Sequence, residues 1–190
     1  MKNLKLFIKY FQINAPNPRT TPSVLGVFLL IFLVSACKNS ENKGKCKYGK
    51  PQAIFTDSMP TVRKHFFQIK DETGVEMVVF PKDLFVEIEQ SGCNEIKQQF
   101  TFFLKGDFKD ATDEDWKALS VKFFRDFAAI SPEKLNGFNF WADAIENDGK
   151  EIKLAEPHLI KQDIGTRFVR IDKIISPEKS TLVIQLSSKE

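Results

Sequence analysis

The chain has 190 residues, 42 % of them hydrophobic, with 28 lysines and arginines against 25 aspartates and glutamates. Four basic residues, Lys2, Lys5, Lys9 and Arg19, precede residue 24 with no acidic residue among them, which leaves 24 basic against 25 acidic side chains, a net of −1, for the rest. The basic balance therefore belongs to the leader, and it gives no warrant for a nucleic-acid partner.

Residues 24–34 are eleven apolar residues without a charge. As a helix they would span about 16 Å, roughly half of a ~30 Å bilayer core, which suits a secretory signal better than a membrane span. The preceding positive charges have the positive-inside arrangement. The stretch closes on Val34-Ser35-Ala36-Cys37, which resembles a bacterial lipobox: an aliphatic residue, two small residues, then cysteine. The resemblance covers the first 37 residues. It implies removal of a 1–36 signal peptide, a diacylglyceryl group on the Cys37 sulfur, and an acylated, for example palmitoylated, amino terminus. Two or more chains anchor a protein stably where one does not. Membrane lipid would then be the first partner. The leader is long and carries its own apolar cluster, Leu6, Phe7, Ile8, Tyr10 and Phe11. The alternative is an uncleaved signal anchor with Cys37 as an ordinary thiol. By analogy with lipoprotein sorting, Lys38 rather than Asp after the cysteine favours the outer membrane in a diderm envelope.

Residues 37–50 read as the anchor and a polar, lysine-rich tether. Cys46 and Cys93 are the remaining cysteines, and export to an oxidising compartment favours a disulfide between them. Loop-closure entropy would make it worth about 4 kcal/mol. With Cys46 pinned, residues 38–45 reach about 27 Å when extended, so the domain would stay close to the membrane.

From residue 52 to 105 the pattern has period two. Leu84, Val86 and Ile88 alternate with Phe85, Glu87 and Glu89, and Ile96, Gln98, Phe100, Phe102 and Leu104 alternate with polar or outward residues. Asp71-Glu72-Thr73-Gly74 is expected to turn the chain between strands at 66–70 and 75–80, with Gly74 taking a positive φ. Ser91-Gly92-Cys93-Asn94 is expected to make the next turn. The outcome is an antiparallel meander of about four strands.

The period changes at Thr112, a helix N-cap followed by Asp113, Glu114 and Asp115. Trp116, Leu119, Phe123, Phe127 and Ile130 form one stripe. Ser131-Pro132 ends this helix and opens a second, with Leu135, Phe138, Trp141, Ala142 and Ile145 inward and a costly Gly137 in its interior. Asn147-Asp148-Gly149 stops it. Strands follow at 151–155, 167–175 and 181–186. Residues 51–190 thus read as a single α+β domain, an antiparallel sheet of about six to seven strands with two helices on one face.

Nucleophile-elbow, zinc-helix, phosphate-loop and dinucleotide motifs do not occur, so no cofactor is expected. His65, His158 and Glu156 could meet in space, but their spacing matches no metal site, and none is expected. Glu87 and Glu89 share a strand face about 7 Å apart, within the range of glycosidase carboxylates, though a solvated face explains them better. Asp113, Glu114 and Asp115 fit helix capping better than calcium. Phenylalanine is the oddity, 19 against two tyrosines. Phe138, Phe140 and Trp141 could present an aromatic shelf to a sugar or lipid, with a Phe-rich core as the plainer account. The sequence therefore reads as a membrane-anchored envelope lipoprotein with a non-catalytic domain that binds an envelope protein or a small ligand. A hydrolase using carboxylates or a His–carboxylate pair is the alternative. Convergence of His65, His158, Glu87 and Glu89 would separate the two.

Overall fold

Seven strands form one antiparallel sheet in the order β1-β2-β3-β4-β7-β6-β5 in a computed structural model that describes residues 48–92, 94–131, 137–160, 165–176 and 179–189. Contacts divide the chain into Met1–Asn42 and Lys43–Glu190, and the described residues belong to the second unit. Cys37, Cys46 and Cys93 lie outside the described residues, and with them the lipidation site and the disulfide.

The strands are β1 (Lys64–Lys70), β2 (Thr73–Val79), β3 (Phe85–Ser91), β4 (Ile96–Leu104), β5 (His158–Ile160), β6 (Thr166–Ile175) and β7 (Ser180–Lys189). The first four are the expected meander. The chain then leaves the sheet for α1 (Asp113–Ile130) and α2 (Phe138–Asn147), returns at the far edge as β5, and fills the gap beside β4 with β7. Among the described residues no helix is long and apolar enough to cross a membrane. One sheet face is apolar because the alternation is kept in register: Val78, Val86, Ile88, Phe100, Phe102, Leu182, Ile184 and Ile171 are fully buried. Against them pack Phe123, Phe124 and Phe127 of α1 and Phe138 and Trp141 of α2. Arg125 of α1 joins the helices through Asn139, Asp143 and Glu146.

Three local expectations are corrected. Asp71 and Glu72 take the positive φ values, 49° and 67°, of a two-residue hairpin. Gly74 lies inside β2, where a Cβ would come within 2.6 Å of Pro51, so it serves close approach of the incoming chain. Gly137 stands at the N-cap of α2 with φ 57° rather than in its interior, and residues 132–136 lie outside the described residues. Residues 151–155 are turns, in which Glu151 and Ile152 donate to the Asp148 carbonyl; the strand is His158–Ile160.

Thr112 caps α1 with a reciprocal pair: the Asp115 N–H donates to Thr112 Oγ1 at 3.2 Å, and the Thr112 N–H donates to Asp115 Oδ2 at 2.8 Å. The bond from the Thr112 N–H holds the Asp115 carboxyl below its usual range. Thr112→Ala should cost about 1 kcal/mol in chemical denaturation. An unchanged midpoint would mean that the cap is redundant.

Candidate functional site

Strand endings, rather than a sequence motif, build a wide cleft. β2 and β4 finish, and β3 begins, at the same end of the sheet, and the C-terminal half of α1 passes over them. The link from β2 to β3 is the 3-10 turn Pro81–Asp83, closed by the Phe80 N–H donating to the Leu84 carbonyl at 2.8 Å. Lys82 and Asp83 take left-handed φ values of 60° and 57° in it. The resulting cleft has a volume of about 620 Å³, well within the range of small-molecule sites. Buried Phe80, Leu104, Phe123 and Phe127 form its floor. Half-buried Leu84, Phe103, Phe108, Leu119 and Ile130 form its walls. Its charged groups are the exposed Lys82, Asp83, Lys105, Lys122 and Asp126.

Most of that charge is paired. Asp83 meets Lys105 Nζ at 2.9 Å and Arg63 at 3.8 Å, and the Lys105 hydrogen bond draws its carboxyl below the usual range. Asp126 meets Lys122 at 2.5 Å. Lys82 has no ion pair among the described residues. Thr61, also on the wall, has its Oγ1 buried without a hydrogen-bond partner among the described residues.

The residues singled out from sequence lie elsewhere, in separate places. His65 on β1 turns inward and contacts Glu76 at 3.0 Å. His158 on β5 contacts Asp148 at 3.1 Å, tying an edge strand to the end of α2. β1 and β5 are opposite sheet edges, six strand spacings or about 29 Å apart. Glu87 and Glu89 face away from the helices, beside Met77 and Thr101 and beside Val75 and Gln99. Burial, then the Glu89 charge, pushes the Glu87 carboxyl above its usual range. Glu89 lines a shallow polar concavity with Gln99, Gln185 and Arg170. The two histidines and two glutamates thus do not converge, and no cluster of three or more metal-ligating side chains occurs among the described residues.

Of the aromatic shelf, Phe138 is 1 % exposed and packs its ring 5.4–5.8 Å from Phe100, Phe124 and Phe127. Trp141 is 6 % exposed. Phe140 is half-buried, with the Arg167 guanidinium 4.5 Å from its ring centre. Phe140 and Trp141 border a small hollow of about 190 Å³.

Sequence reasoning missed the cleft residues Thr61 and Lys82 and the buried Glu76. Glu76 had a signal, being a carboxylate in phase with Val78 on the inward face of β2. Leu119 and Ile130 were assigned to the stripe, but they sit at its margins and line the cleft. No family model, curated protein or solved structure matches this chain.

Proposed function

We propose that the chain is a lipid-anchored envelope protein whose folded domain is a non-catalytic binding module, and that the aromatic cleft over the strand ends is its binding site. The anchor rests on the uncharged apolar run and Val34-Ser35-Ala36-Cys37. The cleft is the observation that carries the binding role: a wide, mostly apolar concavity with its polar groups at the edge, as small-ligand sites have. The two histidines lie at opposite sheet edges and apart from Glu87 and Glu89, which supports binding over hydrolysis by a site that joins them. Lys38 favours the outer membrane where the cell has two.

Intact-mass analysis of the full chain tests the anchor. The expected mass is that of residues 37–190 plus a diacylglyceryl group and an amide-linked acyl chain. Cys37→Ala should abolish lipid labelling and leave an uncleaved precursor. An unmodified Cys37 in the wild type overturns the anchor, and recovery in inner-membrane fractions overturns the sorting.

A further inference from the structure

We infer that the cleft takes an amphiphile with one aliphatic chain and an anionic head. The inference rests on the cleft being a binding site and names its ligand class. Two features of the cleft point the same way.

The first is the segregation of its lining. Aromatic and aliphatic side chains make the floor and walls, while the charged side chains are exposed. A ligand wholly polar would desolvate against the walls without partners, and one wholly apolar would leave the charged edge unused. An amphiphile satisfies both zones.

The second is the sign of the spare charge. Both aspartates at the edge are already engaged, Asp83 by Lys105 and Arg63 and Asp126 by Lys122. Among the described residues Lys82 is the cleft cation left over. It projects from a turn whose backbone holds Lys82 and Asp83 at left-handed φ, so its position is set by the chain rather than by an ion pair. An anionic head is the complement, and a cationic head would meet an edge whose carboxylates are taken.

Tyr48, Gly49 and Lys50, where the tether joins the domain, adjoin the β3 end and β4 start, with Gln90, Ser91 and Ile96. The cleft lies at the other end of those strands, some 20–25 Å away at 3.4 Å per residue along β3. The cleft thus lies at the opposite end of the sheet from residues 48–50.

The test uses the full chain in its membrane and a fatty acid carrying a photoactivatable diazirine on its chain. After irradiation, label should concentrate in peptides containing residues 80–84 and 119–130. Unlabelled octanoate, decanoate and dodecanoate should compete with roughly fourfold greater potency per added methylene. Dodecyltrimethylammonium should compete at least about tenfold more weakly than dodecanoate, and Lys82→Glu should weaken dodecanoate about five- to tenfold. Dodecyl phosphate in place of dodecanoate separates a phosphate from a carboxylate head, and either fits the class. Label spread without enrichment in those peptides overturns the cleft as a binding site. Label in the cleft that cationic and anionic amphiphiles displace equally leaves the site standing and overturns the anionic ligand.

Discussion

Phe127→Ala should lower the unfolding free energy by about 3–5 kcal/mol. Phe127 is 2 % exposed, and its ring meets five others: Phe55 at 4.9 Å, Phe80 at 5.3 Å, Phe138 at 5.4 Å, Phe102 at 5.6 Å and Phe100 at 6.3 Å. Those five come from the entering segment, the end of β2, α2 and the centre of β4. The ring is therefore where four parts of the chain meet, and no single neighbour can relax into the space it leaves. Aromatic pairs add roughly 0.5–1.5 kcal/mol each beyond the area they bury, so the upper half of the range is expected. A domain of this size commonly has about 5–15 kcal/mol in total, so the variant should be marginal at 37 °C. Urea denaturation should show a lower midpoint at an unchanged slope. Phe140→Ala is the control: half-buried under Arg167, it should cost far less. If the two variants cost the same, the aromatic cluster is loosely packed and its geometry contributes little.

The sheet and helices were legible because burial in this fold follows local periods. Val86 and Ile88, or Phe100 and Phe102, alternate inward along single strands, and Phe123 and Phe127 recur at helical spacing. The same reasoning failed at Ile152 and Leu154. Their alternation is that of a strand, yet the preceding turn spends its N–H groups on Asp148, and Ala155 alone of that stretch donates across to Ile171, at 2.8 Å. Alternation reports which side chains are buried and says nothing about whether a neighbouring strand is within reach. The three residues of β5 are too few to carry a period at all. The cleft was illegible for a different reason. Thr61, Lys82, Lys105 and Lys122 come from four separate segments, and their proximity depends on where two strands stop, a third starts and one helix crosses. No spacing within the chain encodes that. Phe138, by contrast, was visible as an aromatic, but its neighbours Phe100, Phe124 and Phe127 decide that it belongs to the core.

Glu76→Ala should cost a further about 3–5 kcal/mol, the range for leaving the partners of a buried charge without it. Glu76 is 0 % exposed on the inward face of β2. Its carboxylate accepts the Ile54 N–H at 2.8 Å and the Phe55 N–H at 2.7 Å, and it contacts His65 Nε2 at 3.0 Å. Residues 51–55 are not a strand, so these two N–H groups have no ladder to satisfy them, and the carboxylate takes its place. Pro51 against Gly74 fixes the same segment one step further along β2. Alanine would orphan both donors and His65 together, and release Phe55 from Phe80 and Phe127. Glu76→Gln should fall between, at about 1–3 kcal/mol, because its amide retains one acceptor and turns a donor toward the second N–H. The pH dependence has a fixed sign. Burial raises the Glu76 carboxyl above its ordinary value, against the opposing pull of the Ile54 and Phe55 N–H groups and of His65. Between the unfolded value near ~4.3 and the higher folded one, the folded chain binds more protons, so this group's contribution falls as pH rises through that window. The stability advantage of wild type over Glu76→Gln should therefore be largest at the acidic end and narrow toward neutrality, read from denaturant midpoints across pH. An advantage that grew with pH instead would mean that the N–H groups outweigh burial, with the carboxyl lowered rather than raised.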